Sequence, residues 1–441
     1  MKFLLRMTRF VPALGLCALA ACTNSAPLPA GDNGQYVVDA QFAREIANLK
    51  THGDVELALA RIVELDSRLL ADVIELNEIP APPFGEELRA ARFAEMLTEA
   101  GLADVTIDDV GNVIGRRPGT VGDRTIVYAA HLDTVFPAET DVTVRIEGDV
   151  LRAPGIGDNT RGLVVVLGVL RAIQHAGLQT EADILFVGNV GEEGLGDLRG
   201  VKHLFRDDGP KIDLMIAVDG GATSRIVYGG VGSHRYRVTY RGPGGHSWGA
   251  FGTANPHHAL GRAIAAFDSD AAAVTGTGEK TSYNVGRIGG GTSVNSIPFE
   301  SWMEIDMRSG DQGKLDDIDA VLQSAVQRGL AAENAARTEG PELTVEVERI
   351  GTRPAARGDT KSPLLQRAAA AMLSFGVEPN LQISSTDANH PISIGIPAIT
   401  MSRGGLSKDA HSPAESWQNK DGHVAIQIGL LTVLAEARLV E

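Results

Sequence analysis

The sequence predicts an α/β protein in which a mostly parallel sheet carries helices on both faces and an α+β domain is inserted into the chain. With 441 residues, 43% of them hydrophobic, the chain is long enough for two domains. In its larger part, uncharged segments typical of buried strands alternate with amphipathic helical segments, as in a parallel sheet covered by helices. Three of these strands end just before acidic or histidine side chains, at the sheet edge where such folds bind ligands.

The charge and the cysteine content of the chain argue against some kinds of partner and metal site. The net charge of −16 argues against a nucleic acid partner, which would require clustered lysine and arginine. Both cysteines, Cys17 and Cys22, lie near the amino terminus. The rest of the chain therefore forms no internal disulfide and offers no thiolate to a metal ion.

Residues 1–21 have the pattern of a signal peptide, because a basic segment precedes an uncharged stretch too short to span a membrane. The run Leu19-Ala20-Ala21-Cys22 resembles the lipobox of bacterial lipoproteins, in which the cysteine becomes the lipidated first residue. This resemblance implies an extracytoplasmic protein on the periplasmic side of a bacterial cell envelope, attached to the membrane only through a lipid anchor at Cys22. A plain secretory signal with an accidental cysteine is the alternative. Residues 22–38, rich in Pro, Ala, Asn and Gly, are predicted to form a tether.

The larger domain is predicted to comprise residues 39–231 and 351–441. Apolar residues with helical spacing predict helices in its first part and after the insertion. These helices are expected at 41–49, 54–71, 86–100, 160–176 and 362–375. Short apolar runs predict strands at 105–108, 113–116, 125–130, 183–190, 213–218 and 398–401, with a hairpin formed by 142–147 and 150–152.

The inserted domain is predicted at residues 232–350. It begins with the strictly alternating segment 235–240, which is typical of a half-exposed strand. The order strand, helix, strand, strand, helix, strand is that of a small α+β sandwich. The later elements are expected at 256–268, 281–288, 299–307, 315–335 and 343–350.

The strand ends of the larger domain supply a set of imidazoles and carboxylates. Side chains of these types without thiols suit zinc, manganese or cobalt in a hydrolytic site. Two ions sharing a carboxylate balance the excess negative charge better than one. Because neighbouring side chains diverge, either Glu192 or Glu193 can bind metal while the other acts as a general base on water. The set consists of His131, Asp133, Asp158, Glu192, Glu193, Asp219 and the distant His411.

These motifs resemble the co-catalytic zinc exopeptidase family that includes peptidase T, dipeptidases, carboxypeptidase G and aminoacylase. The matching motifs are His-x-Asp at 131–133, Gly-Ile-Gly-Asp at 155–158, Glu-Glu at 192–193, Asp219, and the His-Ser-Pro-Ala-Glu run at 411–415. The resemblance implies the fold of that family and two divalent ions, most often zinc. It further implies that Asp158 bridges the ions, that His131 and Asp219 complete one metal site, and that Glu193 and His411 complete the other. Glu192 would be the general base, and Asp133 would orient His131.

Two motifs of the inserted domain resemble the lid and dimerisation motifs of that family, at residues 244–247 and 289–298. By this resemblance His246 polarises the scissile carbonyl, in many relatives from the partner subunit, and Asn295 and Arg308 hold substrate. The resemblance therefore allows for a homodimer formed through residues 232–350. Two departures bear on the substrate pocket. Thr160 stands where relatives often have lysine, and Ser384-Ser385 stand where they have glycines.

The expected activity is cleavage of small peptides from the amino end, because aspartate at position 219 is associated in the family with aminopeptidases and dipeptidases. An N-acyl amino acid amidohydrolase or a carboxypeptidase with the same metal site is the alternative, and a non-catalytic solute-binding lipoprotein is a more remote one. The run Gly245-His246-Ser247-Trp248-Gly249 also matches the nucleophile elbow of serine hydrolases, which requires an immediate helix. His390 is a further substrate-side candidate.

Overall fold

The structure, a computed structural model, describes residues 36–440. The predicted signal peptide, Cys22 and most of the predicted tether lie outside these described residues. Tyr36, within the predicted tether, is buried and accepts a hydrogen bond of 2.6 Å from Gln366 Nε2. In the described part of the chain, no helix combines the length and the apolar character that crossing a membrane would require.

The helices, in chain order, are α1 Ala40–Lys50, α2 Gly53–Glu64, α3 Asp66–Asn77, α4 Glu87–Glu99, α5 Gly162–Ala176, α6 Arg199–Leu204, α7 Pro256–Thr275, α8 Gln312–Ala336, α9 Pro363–Ser374, α10 Asn389–Ser393 and α11 Gly422–Ala437. The strands are β1 Asp104–Ile107, β2 Val113–Arg117, β3 Thr125–His131, β4 Arg145–Glu147, β5 Val150–Arg152, β6 Asp183–Asn189, β7 Leu214–Val218, β8 Arg225–Gly230, β9 Gly232–Arg241, β10 Gly245–His246, β11 Thr281–Gly290, β12 Ser296–Ile297, β13 Glu300–Ser309, β14 Thr344–Arg353, β15 Ala356–Arg357, β16 Asn380–Ser384, β17 Ala398–Met401, β18 Leu406–Lys408 and β19 Ser416–Gln418.

The large sheet has the order β1-β2-β6-β3-β7-β17-β8-β15, and β16 pairs with β8. Its centre is parallel, because β3 runs parallel to both β6 and β7, and β7 runs parallel to β17. Alternate residues of β3 face opposite sides, so Ile126 and Tyr128 pack into one core while Val127 and Ala129 pack into another. The predicted mostly parallel sheet with helices on both faces is confirmed.

Two predicted helices of the larger lobe need correction. The helix expected at 54–71 is two helices, Gly53–Glu64 and Asp66–Asn77, which are separated by a turn at Leu65 (φ −76°, ψ −4°). After this break α3 contacts the turn at 156–161, and both helices contact α5. The helix expected to begin at Thr160 begins at Gly162, since residues 156–161 form a kinked turn. The buried Asn159 pins that turn to the sheet through a 2.8 Å hydrogen bond to the Val218 carbonyl.

The inserted lobe is a four-stranded antiparallel sheet of order β11-β13-β9-β14, with α7 and α8 against it. The predicted order of strands and helices is present, although α7 continues to Thr275 rather than ending at 268. The lobe has its own hydrophobic core, which includes Val238, Phe267, Met303 and Leu322. A further small sheet of order β18-β19-β5-β4 joins the 145–152 hairpin to the distant 406–418 segment.

Candidate metal and catalytic site

The candidate site lies at the carboxyl edge of the large sheet. His131 is the last residue of β3, the pair Glu192-Glu193 follows β6, and Asp219 follows β7. Two connecting segments complete the set. The kinked turn before α5 provides Asp158, and the segment after β18 provides His411.

The structure brings all five predicted metal ligands together around Asp158. One group consists of His131, Asp158 and Asp219, and another of Asp158, Glu193 and His411, with the candidate ligand atoms of each group within 4.8 Å of one another. Asp158 Oδ1 lies 3.4 Å from His131 Nε2, whereas Asp158 Oδ2 lies 3.3 Å from His411 Nε2. The two oxygens of one carboxylate therefore face different histidines, as a bridging ligand requires.

The donor set fits divalent metal ions. His131 Nε2 is buried and makes no hydrogen bond, although it points at the carboxylate oxygens. Carboxylates of Asp158 and Glu193 raise the pKa of His411 to about 10, so this part of the site strongly favours positive charge. Imidazole nitrogens and carboxylate oxygens without thiolates are ligands that zinc, cobalt and manganese accept.

Asp133 contacts His131 more closely through its backbone than through the carboxylate that was expected to orient the ring. Its carboxylate Oδ1 lies 3.6 Å from His131 Nδ1, and the nearer partner of that nitrogen is the Asp133 backbone carbonyl at 3.0 Å. The carboxylate oxygens instead accept hydrogen bonds from the backbone N–H groups of Glu192 (3.0 Å) and Glu193 (2.7 Å). Asp133 thus links the histidine strand to the segment carrying both glutamates, a contact that the sequence did not reveal.

Glu192 is buried and paired with an arginine that sequence reasoning missed. Arg353, at the end of β14, donates from Nη1 to Glu192 Oε1 at 2.8 Å and to Ser385 Oγ at 2.9 Å, and from Nη2 to the Glu192 carbonyl. Burial raises the pKa of Glu192 well above its ordinary value; Arg353 opposes this rise and the adjacent Glu193 adds to it. Nothing in the local sequence around Arg353 marks it as part of the site.

Arg403 is a second buried cation beside the ligands. Its Nη1 donates to Asp158 Oδ1 at 3.1 Å and to Asp219 Oδ1 at 3.0 Å. Burial would raise the pKa of Asp158, but Arg403 and the two histidines lower it well below its ordinary value. A signal for Arg403 was available, because it follows β17 as closely as the predicted ligands follow their strands.

Glu415 holds the turn that presents Asp158. Its carboxylate accepts hydrogen bonds from the backbone N–H groups of Gly155, Gly157 and Asp158, all at 2.8–2.9 Å. The resemblance included Glu415 in the His-Ser-Pro-Ala-Glu motif without assigning it a task. The structure shows that it is an anchor for the loop.

A cavity of about 520 Å³ opens over the ligands, and Arg308, Ser384 and Ser385 are among the residues that line it. His246 and Asn295 are exposed and do not line this cavity. His246 is in β10 and Asn295 immediately precedes β12, its pairing strand, and Ser247 N donates to the Asn295 carbonyl at 3.0 Å. Within one chain, the structure therefore brings Arg308 to the metal ligands and leaves His246 and Asn295 apart from them.

Three other candidates have ordinary surroundings. Thr160 is buried and donates to Asn77 Oδ1 at 3.1 Å, and His390 packs edge-on against Phe205 outside the cavity. Ser247 lies in a turn, and the next helix begins only at Pro256. The strand, turn and immediate helix of a nucleophile elbow are therefore missing at this position, which argues against a serine hydrolase.

Comparisons with known proteins agree with this geometry. The profile described as Peptidase family M20/M25/M40 matches residues 127–435. A succinyl-diaminopimelate desuccinylase from Corynebacterium glutamicum is 24% identical over 361 residues, covering 79% of this chain and 93% of that protein. Carboxypeptidase G2 from Pseudomonas is 24% identical over 314 residues, covering 69% and 71%. The crystal structure of an aminopeptidase from Bacillus cereus superimposes with a TM-score of 0.66 at 21% identity, covering 84% of this chain and 99% of that one.

Proposed function

This chain belongs to Peptidase family M20/M25/M40 and is a metal-dependent hydrolase of peptide or amide bonds, and from that premise we propose that it is an aminopeptidase or tripeptidase acting on small peptides. Its cofactor would be a pair of divalent ions, zinc in the first place, with cobalt or manganese as substitutes. The observation that carries the proposal is the Asp158 carboxylate, whose two oxygens face His131 and His411 beside the buried Glu192.

In this proposal the chain holds the ions at two sites that share Asp158. His131 and Asp219 complete one site, and Glu193 and His411 complete the other. Ions bound there would polarise the scissile carbonyl and make a water molecule more acidic.

Glu192 performs the proton transfers in this mechanism. Its carboxylate accepts a proton from the attacking water and returns it to the departing amine as the C–N bond breaks. Asp133 and Arg353 keep Glu192 in place by binding its backbone N–H and its side chain respectively. Arg308, which lines the cavity, would hold the substrate.

The amino-end preference is supported by Asp219 through family resemblance, and a second candidate function has support of its own. One relative is a desuccinylase and another a carboxypeptidase, so cleavage of N-acyl amino acids or of carboxyl-terminal residues is the alternative. An acyl amide presents the same carbonyl to the same water, and the metal site would be unchanged.

A substrate panel distinguishes these activities. Free dipeptides and tripeptides, amino-blocked peptides and N-acyl amino acids are each incubated with chelated protein and with protein resupplied with zinc, cobalt or manganese. We expect free-amine peptides to be preferred and chelation to abolish their cleavage. A preference for amino-blocked substrates would overturn the aminopeptidase assignment, and activity after complete metal removal would overturn the metal mechanism.

We also propose that two chains combine through residues 232–350 and that His246 acts in the partner's cavity. Support comes from the exposure of His246 and from β11, which is an edge strand of its four-stranded sheet. Mixing His246→Ala with Glu192→Gln protein gives a direct test. If His246 acts across the interface, mixed dimers regain one working site; no recovery in mixed dimers would contradict it.

For the location of the protein, we propose a lipid anchor at Cys22 on the extracytoplasmic side of a bacterial membrane. The support is the lipobox-like run ending at Cys22. Replacing Cys22 with serine should release the protein from the membrane fraction and prevent acylation. A Cys22→Ser protein that remains acylated in the membrane fraction would contradict the anchor.

A further inference from the structure

The cavity over the metal ligands is rich in arginine, although the whole chain carries a net charge of −16. Four carboxylates line it, and they are the metal-site residues Asp158, Glu192, Glu193 and Asp219. Five arginines line it as well, at positions 225, 235, 308, 353 and 403. An arginine left unpaired in such a cleft attracts ligands of negative charge.

Four of these arginines are paired with carboxylates of the protein. Arg353 binds Glu192, and Arg403 binds the two aspartate ligands. Arg235 and Arg308 share a single carboxylate, that of Asp306, at 2.9 and 2.6 Å. The single negative charge of Asp306 is therefore shared by two guanidinium groups that line the cavity.

Arg225, the first residue of β8, lacks a carboxylate partner among the described residues. Its hydrogen bonds are long, 3.3 Å from Nε to Gln382 Oε1 and 3.3 Å from Nη1 to the Asp219 carbonyl. Both acceptors are uncharged, so the positive charge of this half-buried, cavity-lining side chain is not neutralised.

The chain makes room for this guanidinium. Gly220 has a φ of +83°, and a Cβ atom at that position would lie 1.8 Å from Arg225 Nη1. Any residue larger than glycine would therefore displace Arg225 from the cavity wall. The guanidinium donates to the carbonyl of Asp219, which is itself a predicted metal ligand, and it lines the same cavity.

We propose that Arg225 is a specificity-determining residue that binds a carboxylate of the substrate. The favoured substrates would be small peptides or N-acyl amino acids with an aspartate or glutamate side chain near the scissile bond. This acidic group is separate from the group that Arg308 holds. The inference rests on the proposed hydrolytic function and adds the substrate class to it.

Balancing the charge of the metal ligands is a different explanation for Arg225, and the contacts argue against it. Asp158 and Asp219 already bind Arg403, Glu192 binds Arg353, and Glu193 binds His411. Divalent ions at the site would reduce the need for a further cation. A guanidinium facing the cavity beside them is better suited to a substrate anion, which it binds through charge-assisted hydrogen bonds.

Matched substrates test the proposal. Each acidic compound is paired with its amide analogue, namely Asp-Ala with Asn-Ala, Ala-Asp with Ala-Asn, and N-acetylglutamate with N-acetylglutamine. We expect kcat/KM of the natural protein to favour the acidic member of at least one pair by about 10- to 100-fold, the range for hydrogen bonds to charged groups. Arg225→Gln should remove most of this ratio, and Arg225→Lys should retain part of it because lysine keeps the charge without the planar fork.

The controls separate recognition from folding and from metal loss. Arg206→Gln removes an exposed arginine of the same lobe outside the cavity and should leave the ratio unchanged. Metal content and melting temperature are measured for each variant. The inhibition constant of succinate gives a readout besides turnover, and it should rise in Arg225→Gln.

The outcomes distinguish this inference from the function on which it rests. No hydrolysis of any substrate by metal-loaded natural protein would defeat the proposed function itself. Hydrolysis without an acidic preference, or a preference that Arg225→Gln leaves intact, would overturn the Arg225 proposal alone. A ratio lost in Arg225→Gln and partly kept in Arg225→Lys, with metal retained, would support it.

Discussion

At the scale of single residues, the contacts of Glu192 hold it in place while its carboxylate still faces the cavity. Asp133 fixes its backbone, Arg353 fixes one side-chain oxygen, and the cavity remains open to it. Replacing Glu192 by glutamine keeps the shape and removes the proton acceptor. We expect turnover to fall by about 10² to 10⁴-fold, the usual contribution of general-base catalysis, while metal content is unchanged. Steady-state kinetics and elemental analysis of the same sample check this, and near-normal turnover in a fully metal-loaded variant would remove Glu192 from the role.

Arg353 is expected to act through Glu192 rather than on the substrate. Arg353→Lys cannot bind the Glu192 side chain and backbone carbonyl together, so the base would be less well positioned. We predict a fall in kcat of about tenfold or more with little change in KM, since mispositioning affects the chemical step. Arg357→Lys is the matched control, because Arg357 lies four residues further along the chain, in β15, and pairs instead with Glu279. Equal losses in both variants would indicate a general structural effect.

Residues differ in how far the sequence alone could identify them. His131 could be predicted because it ends a mostly uncharged strand, and Glu192 and Asp219 because they follow such strands; parallel strands bring these positions to one edge. Arg353 and Arg225 could not, because the first closes a strand of the inserted lobe and the second opens a strand. Their approach to the site depends on how the lobes and loops pack, and no local pattern records that.

At the scale of elements, the turn at 156–161 depends on Glu415. Replacing Glu415 by alanine would leave three backbone N–H groups without their acceptor, in a part of the site that is largely buried. Each unsatisfied buried group costs about 1 to 3 kcal/mol, so we expect a clear drop in the free energy of unfolding and weaker metal binding. Chemical denaturation and calorimetric metal titration measure the two effects. Unchanged metal affinity would show that the turn keeps its shape without this anchor.

The inserted lobe contains a polar cluster that ties β9 to α8. Burial would raise the pKa of Asp319, but hydrogen bonds from His234, Gln323 and Tyr236 lower it to about 2, and Arg349 also contacts it. Because the pKa in the folded state lies below the ordinary value of 3.8, the stabilisation is complete above that pH and is lost as the pH falls towards 2. It amounts to about 2 kcal/mol.

Urea unfolding between pH 5 and pH 2 tests this dependence. Asp319→Asn should be less stable than the natural protein at pH 5, and the difference should shrink towards pH 2. Asp317→Asn, an exposed position on the same helix, is the control. A difference that stays constant with pH would show that the Asp319 carboxylate is not held in its charged form by the cluster.

At the scale of the whole molecule, the two lobes have separate hydrophobic cores, and the metal ligands all belong to the larger one. The unfolding of each lobe can be followed by the fluorescence of a tryptophan within it. Trp417 is buried in the larger lobe, with Nε1 donating to the Gly404 carbonyl at 2.9 Å, and Trp302 lies on β13 of the inserted lobe. Because ligands stabilise only the part of a protein that binds them, chelation should lower the unfolding midpoint seen by Trp417 and leave that seen by Trp302.

Variants with one tryptophan each allow this measurement, with Trp248→Phe common to both. Thermal or urea unfolding is followed by fluorescence before and after chelation. A common shift of both midpoints would mean that the lobes unfold as one unit.

The architecture as a whole could be predicted because the period of the apolar residues changes from one part of the chain to the other. The alternating strand at 235–240 marked the inserted lobe, while uncharged runs such as 125–130 marked the parallel sheet. The break at Leu65 could not be predicted, since the apolar spacing continues across it.

The hydrogen bonding between Glu415 and the Asp158 turn also determines when, during synthesis and folding, the metal-binding geometry can form. The two residues are 257 positions apart in sequence, so the turn cannot take its final form until nearly the whole chain has been synthesised and brought together. Contacts of such long separation form late, because closing a long loop is entropically costly. Assembly of the metal-binding geometry therefore belongs to the last stage of maturation, and a chain shortened before residue 411 would lose both a predicted ligand and the anchor of another.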